Sequence, residues 1–136
     1  MPKYLLLKNY TGGPERHPDY SQFEDWNSDA FAAHMAFQNQ VLDMLRERGE
    51  LVDHKALARE GTYVRYDGPG RPPVTDGPFP ETKELVAGWC IVDVDNEARA
   101  HEIAAMISSA PSANGKPSHE WIEVRPIMGD GSEAEE

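Results

Sequence analysis

Between residues 30 and 48 apolar side chains recur at three- and four-residue steps: Phe31, Met35, Val41, Leu42 and Leu45. That period predicts a helix with one apolar face, and it is the strongest helical signal in the chain. Ser28 or Asp29 is the expected cap, and Gly49 the stop, after Arg46 and Arg48 place positive charge on the last turn. With Phe31 at zero on a wheel of about 100° per residue, Met35 falls near 40°, Leu42 near 20°, Leu45 near 320° and Val41 near 280°. His34 falls near 300° and Gln38 near 340°, inside the apolar arc. Both polar side chains are therefore expected to point toward whatever this helix packs on, and each needs a partner there.

The surrounding segments supply a sheet for it to pack on. Residues 3–9 read as a first strand, ended by the Thr11-Gly12-Gly13-Pro14 breaker. Residues 10–28 are a long polar loop. Residues 50–59 and 62–66 read as two further strands with Glu60-Gly61 as a tight turn between them, and residues 74–77 as a short resumption of the sheet. Residues 85–94, with Val86, Trp89, Cys90, Ile91, Val92 and Val94, are the best strand. Asp95 or Asn96 caps a second helix running to about residue 109. Residues 120–127 form a last strand. The order is that of an α+β domain with a ferredoxin-like split βαβ pattern, four or five strands under two helices. Two helices cover only one sheet face. The other is expected to pack against an identical chain, giving a homodimer. Residues 1–128 form this domain, and residues 129–136 an acidic tail expected to be disordered.

Charge and cysteine content exclude several classes. The net charge is −11, and without the four acids of the tail 20 acids still face 13 bases. An acidic body repels phosphate backbones, so nucleic acid is not an expected partner. No apolar run is long enough to cross a membrane or to serve as a leader, and one cysteine, Cys90, forms no intrachain disulfide. These features suit a cytoplasmic protein. No metal-ligand spacing joins His17, His101 and His119, and nucleotide and hydrolase signatures are absent, so neither metal nor cofactor is expected. Cys90, in mid-strand, reads as inert packing.

The segment Thr75-Asp76-Gly77-Pro78-Phe79-Pro80-Glu81-Thr82-Lys83-Glu84, with Gly88-Trp89, Val92-Asp93-Val94-Asp95 and Glu123-Val124-Arg125-Pro126, resembles the YCII-related, DGPF-motif family over about residues 3–127. The resemblance implies a ferredoxin-like fold paired as a dimeric α/β barrel. Some YCII-related relatives carry a His and an Asp in a cleft, and many DGPF proteins are encoded beside sigma factors of the extracytoplasmic-function type. This chain departs from the YCII pattern in that His34 lies three residues before the position of the family's His, which is Phe37 here.

The candidate site residues follow from these readings. Asp76-Gly77-Pro78-Phe79 is first a turn, and in a functional reading it sets the Asp76 carboxylate at a cleft mouth with Phe79 and Lys83 close by. Asp53 shares a strand side with Leu51 and Leu57 and is expected to be buried. His34 and Gln38 would form the helical wall of a pocket with Asp53 or Asp76 opposite, and a carboxylate beside His34 would raise its pKa and suit it to general base work. His34 and Asp76 are thus the catalytic candidates, and Gln38, Asp53, Phe79 and Lys83 the ligand-binding ones. Two readings stay open: an enzyme or binder acting on a small polar molecule in a cleft between the first helix and the sheet, or a non-catalytic dimeric regulatory module linked to sigma-factor signalling.

Overall fold

The computed structural model describes residues 2–10, 14, 17–18, 26–58, 60–76, 86–113 and 115–129. Its elements run β1 (Lys3–Asn9), α1 (Ser28–Glu47), β2 (Leu51–Ala56), β3 (Tyr63–Arg65), β4 (Val74–Asp76), β5 (Val86–Asp93), α2 (Glu97–Ser108) and β6 (Ile122–Pro126). The chain is α+β. β2, β5, β1 and β6, in that spatial order, form a four-stranded antiparallel sheet that does not close into a barrel. β5 separates β1 from β2, and β1 separates β5 from β6, so each strand–helix–strand unit is split by a strand of the other.

Two sequence expectations change. β2 and β3 do not form a hairpin through Glu60-Gly61. β2 joins β5, and β3 instead pairs β4 as a separate two-stranded ribbon, Tyr63 opposite Asp76 and Arg65 opposite Val74. The turn-rich residues 67–73 make that ribbon's connection, as their Gly and Pro content favours. The first helix is also capped one residue earlier than expected, by Asn27, whose side chain accepts from the Ala30 amide at 2.8 Å. Asn96 caps α2 the same way, accepting from Arg99 N–H at 2.9 Å.

Alternation on β1 decides which face is core. Tyr4 and Leu6 lie opposite Val92 and Cys90, and all four are buried together with Val41 and Leu45 of α1 and Ala100, Ile103 and Ile107 of α2. Both helices therefore cover the same sheet face. Leu5 and Leu7, opposite Ile91 and Trp89, lie on the other face and are half-buried. Gly88 lets the edge strand come close: a Cβ there would sit 2.9 Å from the Lys55 carbonyl of β2.

The end of α1 is closed in two ways. Gly49, at φ 73°, turns the chain through the left-handed region, so that its N–H reaches the Arg46 carbonyl and the Glu50 N–H reaches that of Leu45. Glu50 then meets α2. Arg99 grips its carboxylate with Nε and Nη2 at 2.9 and 2.8 Å, and Arg48 adds a third contact at 3.0 Å. The Arg99 hydrogen bonds in particular hold the Glu50 pKa below its usual value. A depressed carboxylate stabilises the fold above its unfolded pKa and loses that contribution as pH falls through the folded value. Replacing the planar fork by an ammonium, Arg99→Lys, is expected to cost about 1–3 kcal/mol near neutral pH. Urea unfolding tests this: the midpoint should fall with the slope unchanged, and the wild-type advantage should shrink in acid.

Candidate functional site

The apolar arc of α1 serves two purposes. Val41, His34 and Leu45, at about 280–320° on the wheel, are buried against the sheet and α2. Phe31, Leu42 and Met35, at about 0–40°, overhang the sheet instead, with Phe31 47% and Met35 39% exposed. They form one wall of a cleft of about 660 Å³, whose other walls come from β1, from β2 and Leu57 just after it, and from β5. Gln38 sits between the two strips and is half-buried.

His34 closes the inner end of this cleft and is only 1% exposed. Its Nδ1 lies 2.9 Å from the Pro111 carbonyl, which can only accept, so Nδ1 carries the proton. Its Nε2 then has a lone pair, and the Lys8 ammonium donates to it at 2.9 Å. The Gln38 amide nitrogen stands 3.5 Å from the same lone pair and donates to the Ile107 carbonyl at 3.4 Å. The Trp26 indole packs edge-on against the imidazole, with ring centroids 4.9 Å apart. His34 and Gln38 thus face inward, and their partners among the described residues include backbone carbonyls, Lys8 and Trp26.

Lys8 reaches His34 because it follows Tyr4 and Leu6 on the core face of β1. It also meets the Glu120 carboxylate at 3.2 Å, and that side chain is 4% exposed. Among the described residues Glu120 Oε1 has no hydrogen bond, so charge rather than directed bonding holds it to Lys8. Its Oε2 lies 3.2 Å from Ser118 Oγ, which also donates to the Ser108 carbonyl at 3.0 Å.

The electrostatics of His34 are opposite to the sequence expectation. The charged neighbour that shifts it is a lysine, not the expected carboxylate. Burial, and then the Lys8 charge, push its pKa down to about 4, against the opposing pull of the Pro111 carbonyl. At neutral pH it is a neutral hydrogen-bond acceptor for lysine.

Asp53 is also corrected. It is half exposed, and its carboxylate is taken by Lys55 Nζ at 3.0 Å and the His54 amide at 2.8 Å. The Lys55 hydrogen bond is the main reason its pKa is lowered. The cause of the exposure is a bulge between Leu51 and Asp53, which breaks strict alternation and sets Asp53 opposite Ile91 rather than on the Leu51 side. His54 takes the core side, opposite Cys90, and both residues line the cleft. Asp76 lies in β4 opposite Tyr63; its side chain, Phe79 and Lys83 fall outside the described residues. Burial raises the Cys90 thiol to about 11, so it is protonated at neutral pH. Among the described residues no group of three or more His, Cys, Asp or Glu could hold a metal, and no helix is long and apolar enough to cross a membrane.

Sequence reasoning missed Lys8, Glu120, Ser118 and Trp26. Strand alternation could have found Lys8, two residues beyond Leu6. Nothing periodic surrounds Glu120 or Trp26.

A family model described as YCII-related domain matches residues 4–128, nearly the whole chain. No curated protein matches it.

The His34 shift carries a signed prediction. Unfolded, the imidazole takes a proton below about pH 6.5, whereas folded it waits until about pH 4. Its contribution is therefore complete above pH 6.5 and falls away as pH drops toward 4. His34→Gln should destabilise the protein at pH 7.5. The gap between wild type and variant should then narrow by about 2–3 kcal/mol between pH 7.5 and pH 4.5. Denaturant titrations of both proteins across that range measure it. A gap that stays constant contradicts the assignment.

Proposed function

The chain belongs to the YCII-related domain family, and on that premise we propose that it binds a small organic anion in the cleft between α1 and the sheet. The observation that carries this reading is the Lys8 ammonium, 18% exposed, held at the inner end of an otherwise largely apolar cleft by the lone pair of a neutral His34. Phe31, Met35, Leu42 and Leu57 suit an apolar body. Lys8 with the Gln38 amide suits a carboxylate or enolate head. Among the described residues the charged groups lining the cleft are Lys8, Lys55 and Asp53; Lys55 is paired with Asp53 and Lys8 with Glu120, so an anionic head would be met by hydrogen bonding from Lys8 rather than by a net positive field.

His34 positions Lys8 in this reading. Its basic lone pair is engaged, so a role in proton transfer requires a ligand that draws Lys8 away. The protein acts as a homodimer with a ferredoxin-like fold, the two open sheet faces meeting as in a dimeric α/β barrel. Supporting that pairing, Leu5, Leu7, Trp89 and Ile91 make an apolar centre on the open face, flanked by Asp53 and Lys55 on β2 and Glu123 and Arg125 on β6.

Thermal shift with a panel of aliphatic and aromatic monocarboxylates, each paired with its alcohol, tests the anion reading. A ligand at 100 times its Kd stabilises by about 2.7 kcal/mol, enough for a clear rise in melting temperature. Carboxylates should raise it and the matched alcohols should not. Lys8→Met alone would strand the Glu120 carboxylate, so the double variant Lys8→Met with Glu120→Gln is the appropriate control. It should abolish the shift. An equal shift in that variant contradicts the role of Lys8, and no shift with any carboxylate favours a non-catalytic interaction module.

A further inference from the structure

We propose that the outer edge of β6 pairs with the same edge of a second copy of this chain, antiparallel about Val124, joining the two sheets into one. This goes beyond the cleft and uses the backbone edge of β6, whose Glu123 and Arg125 side chains border the open face. β6 is an edge strand, and among the described residues nothing pairs with its outer side. Ile127 N–H donates to the Lys3 carbonyl of β1 at 3.0 Å. Alternation then turns the N–H groups of Glu123 and Arg125 toward β1, and the backbone groups of Ile122 and Val124 outward.

The sequence of this edge, Ile122-Glu123-Val124-Arg125-Pro126, is complementary to itself. With Val124 facing the partner's Val124, each can donate to and accept from the other. Ile122 then faces the partner's Pro126 and donates to its carbonyl. Proline lacks only an N–H, so Pro126 forfeits one bond at each end of the seam and no more. Glu123 faces the partner's Arg125, and Arg125 the partner's Glu123, on the same sheet face. Cross-strand pairs of opposite charge stabilise such a seam, and any one-residue slip removes them. Both side chains are exposed, at 53% and 66%, and among the described residues they meet each other at 3.8 Å.

Two further features agree. On the helix side a groove of about 430 Å³ runs between α2 and β6, bordered on α2 by Ala104, Ala105 and Ser108 with His101 beside them, which leaves space next to the seam. The opposite sheet edge, β2, carries a bulge and the Asp53–Lys55 pair, devices that discourage strand addition. β6 has a regular register with β1 throughout.

Charge reversal with complementation tests this on the full chain. Glu123→Arg places like charges across the seam, as does Arg125→Glu. Each variant alone should show half the wild-type mass by light scattering at matched micromolar concentration. An equal mixture of the two should recover the wild-type mass, because every cross-strand pair is again opposite in charge. Val124→Pro, which removes an outward N–H with no partner among the described residues, should halve the mass in the same way while circular dichroism stays native. The open-face pairing is separable: Leu7→Lys should disrupt that contact and leave recovery on mixing intact. A wild-type mass unchanged by both reversals, or halved and not recovered on mixing, overturns the proposal.

Discussion

A neutral imidazole holding an ammonium in a buried place is the contact on which the site depends. Water solvates a lysine well, and taking most of that water away costs several kcal/mol unless the charge is met. Among the described residues it is met by the Glu120 carboxylate and by the lone pair of His34. The Pro111 carbonyl fixes which nitrogen of His34 bears that lone pair. Remove the carbonyl and the imidazole could turn its proton toward lysine, donor against donor. A backbone group in the segment between α2 and β6 therefore sets the chemistry of a side chain on α1 and of another on β1.

This network is one of two polar clamps on α1. Near its start, His34 and Gln38 tie it to β1, Pro111 and Ile107. Just past its end, Glu50 ties it to Arg99 of α2. Between them Val41 and Leu45 supply the apolar packing. A helix held at both ends in this way need not lie flat on the sheet along its whole width. The strip bearing Phe31, Met35 and Leu42 stands clear of β2 and leaves the cleft open. The same clamps that stabilise the helix thus keep an apolar surface available to a ligand.

Much of the architecture is legible in the residues. β1 and β5 announce themselves by short apolar runs, α1 by its period, and its end by Gly49, because these signals arise from interactions within a few residues. The inward direction of His34 and Gln38 follows from the same helical geometry. What was not legible depends on partners distant in sequence. The Leu51–Asp53 bulge arises from how β2 fits β5, so the exposure of Asp53 could not be read from alternation alone. The separate β3–β4 ribbon reflects a pairing choice among short strands of similar propensity. The sign of the His34 shift turned on which charge lay beside it, and Lys8 is 26 residues away.

The central claim, that His34 is a neutral Nδ1–H imidazole accepting from Lys8, is open to direct measurement. Two-bond proton–nitrogen correlation spectra of protein labelled with nitrogen-15 distinguish the protonated ring nitrogen from the bare one, and an imidazolium from either. Followed across pH, the His34 signals should show a proton on Nδ1 alone, unchanged from neutral pH down to about pH 5, with titration only near pH 4. A proton on Nε2 at neutral pH, or conversion to imidazolium near pH 6.5, would contradict the account.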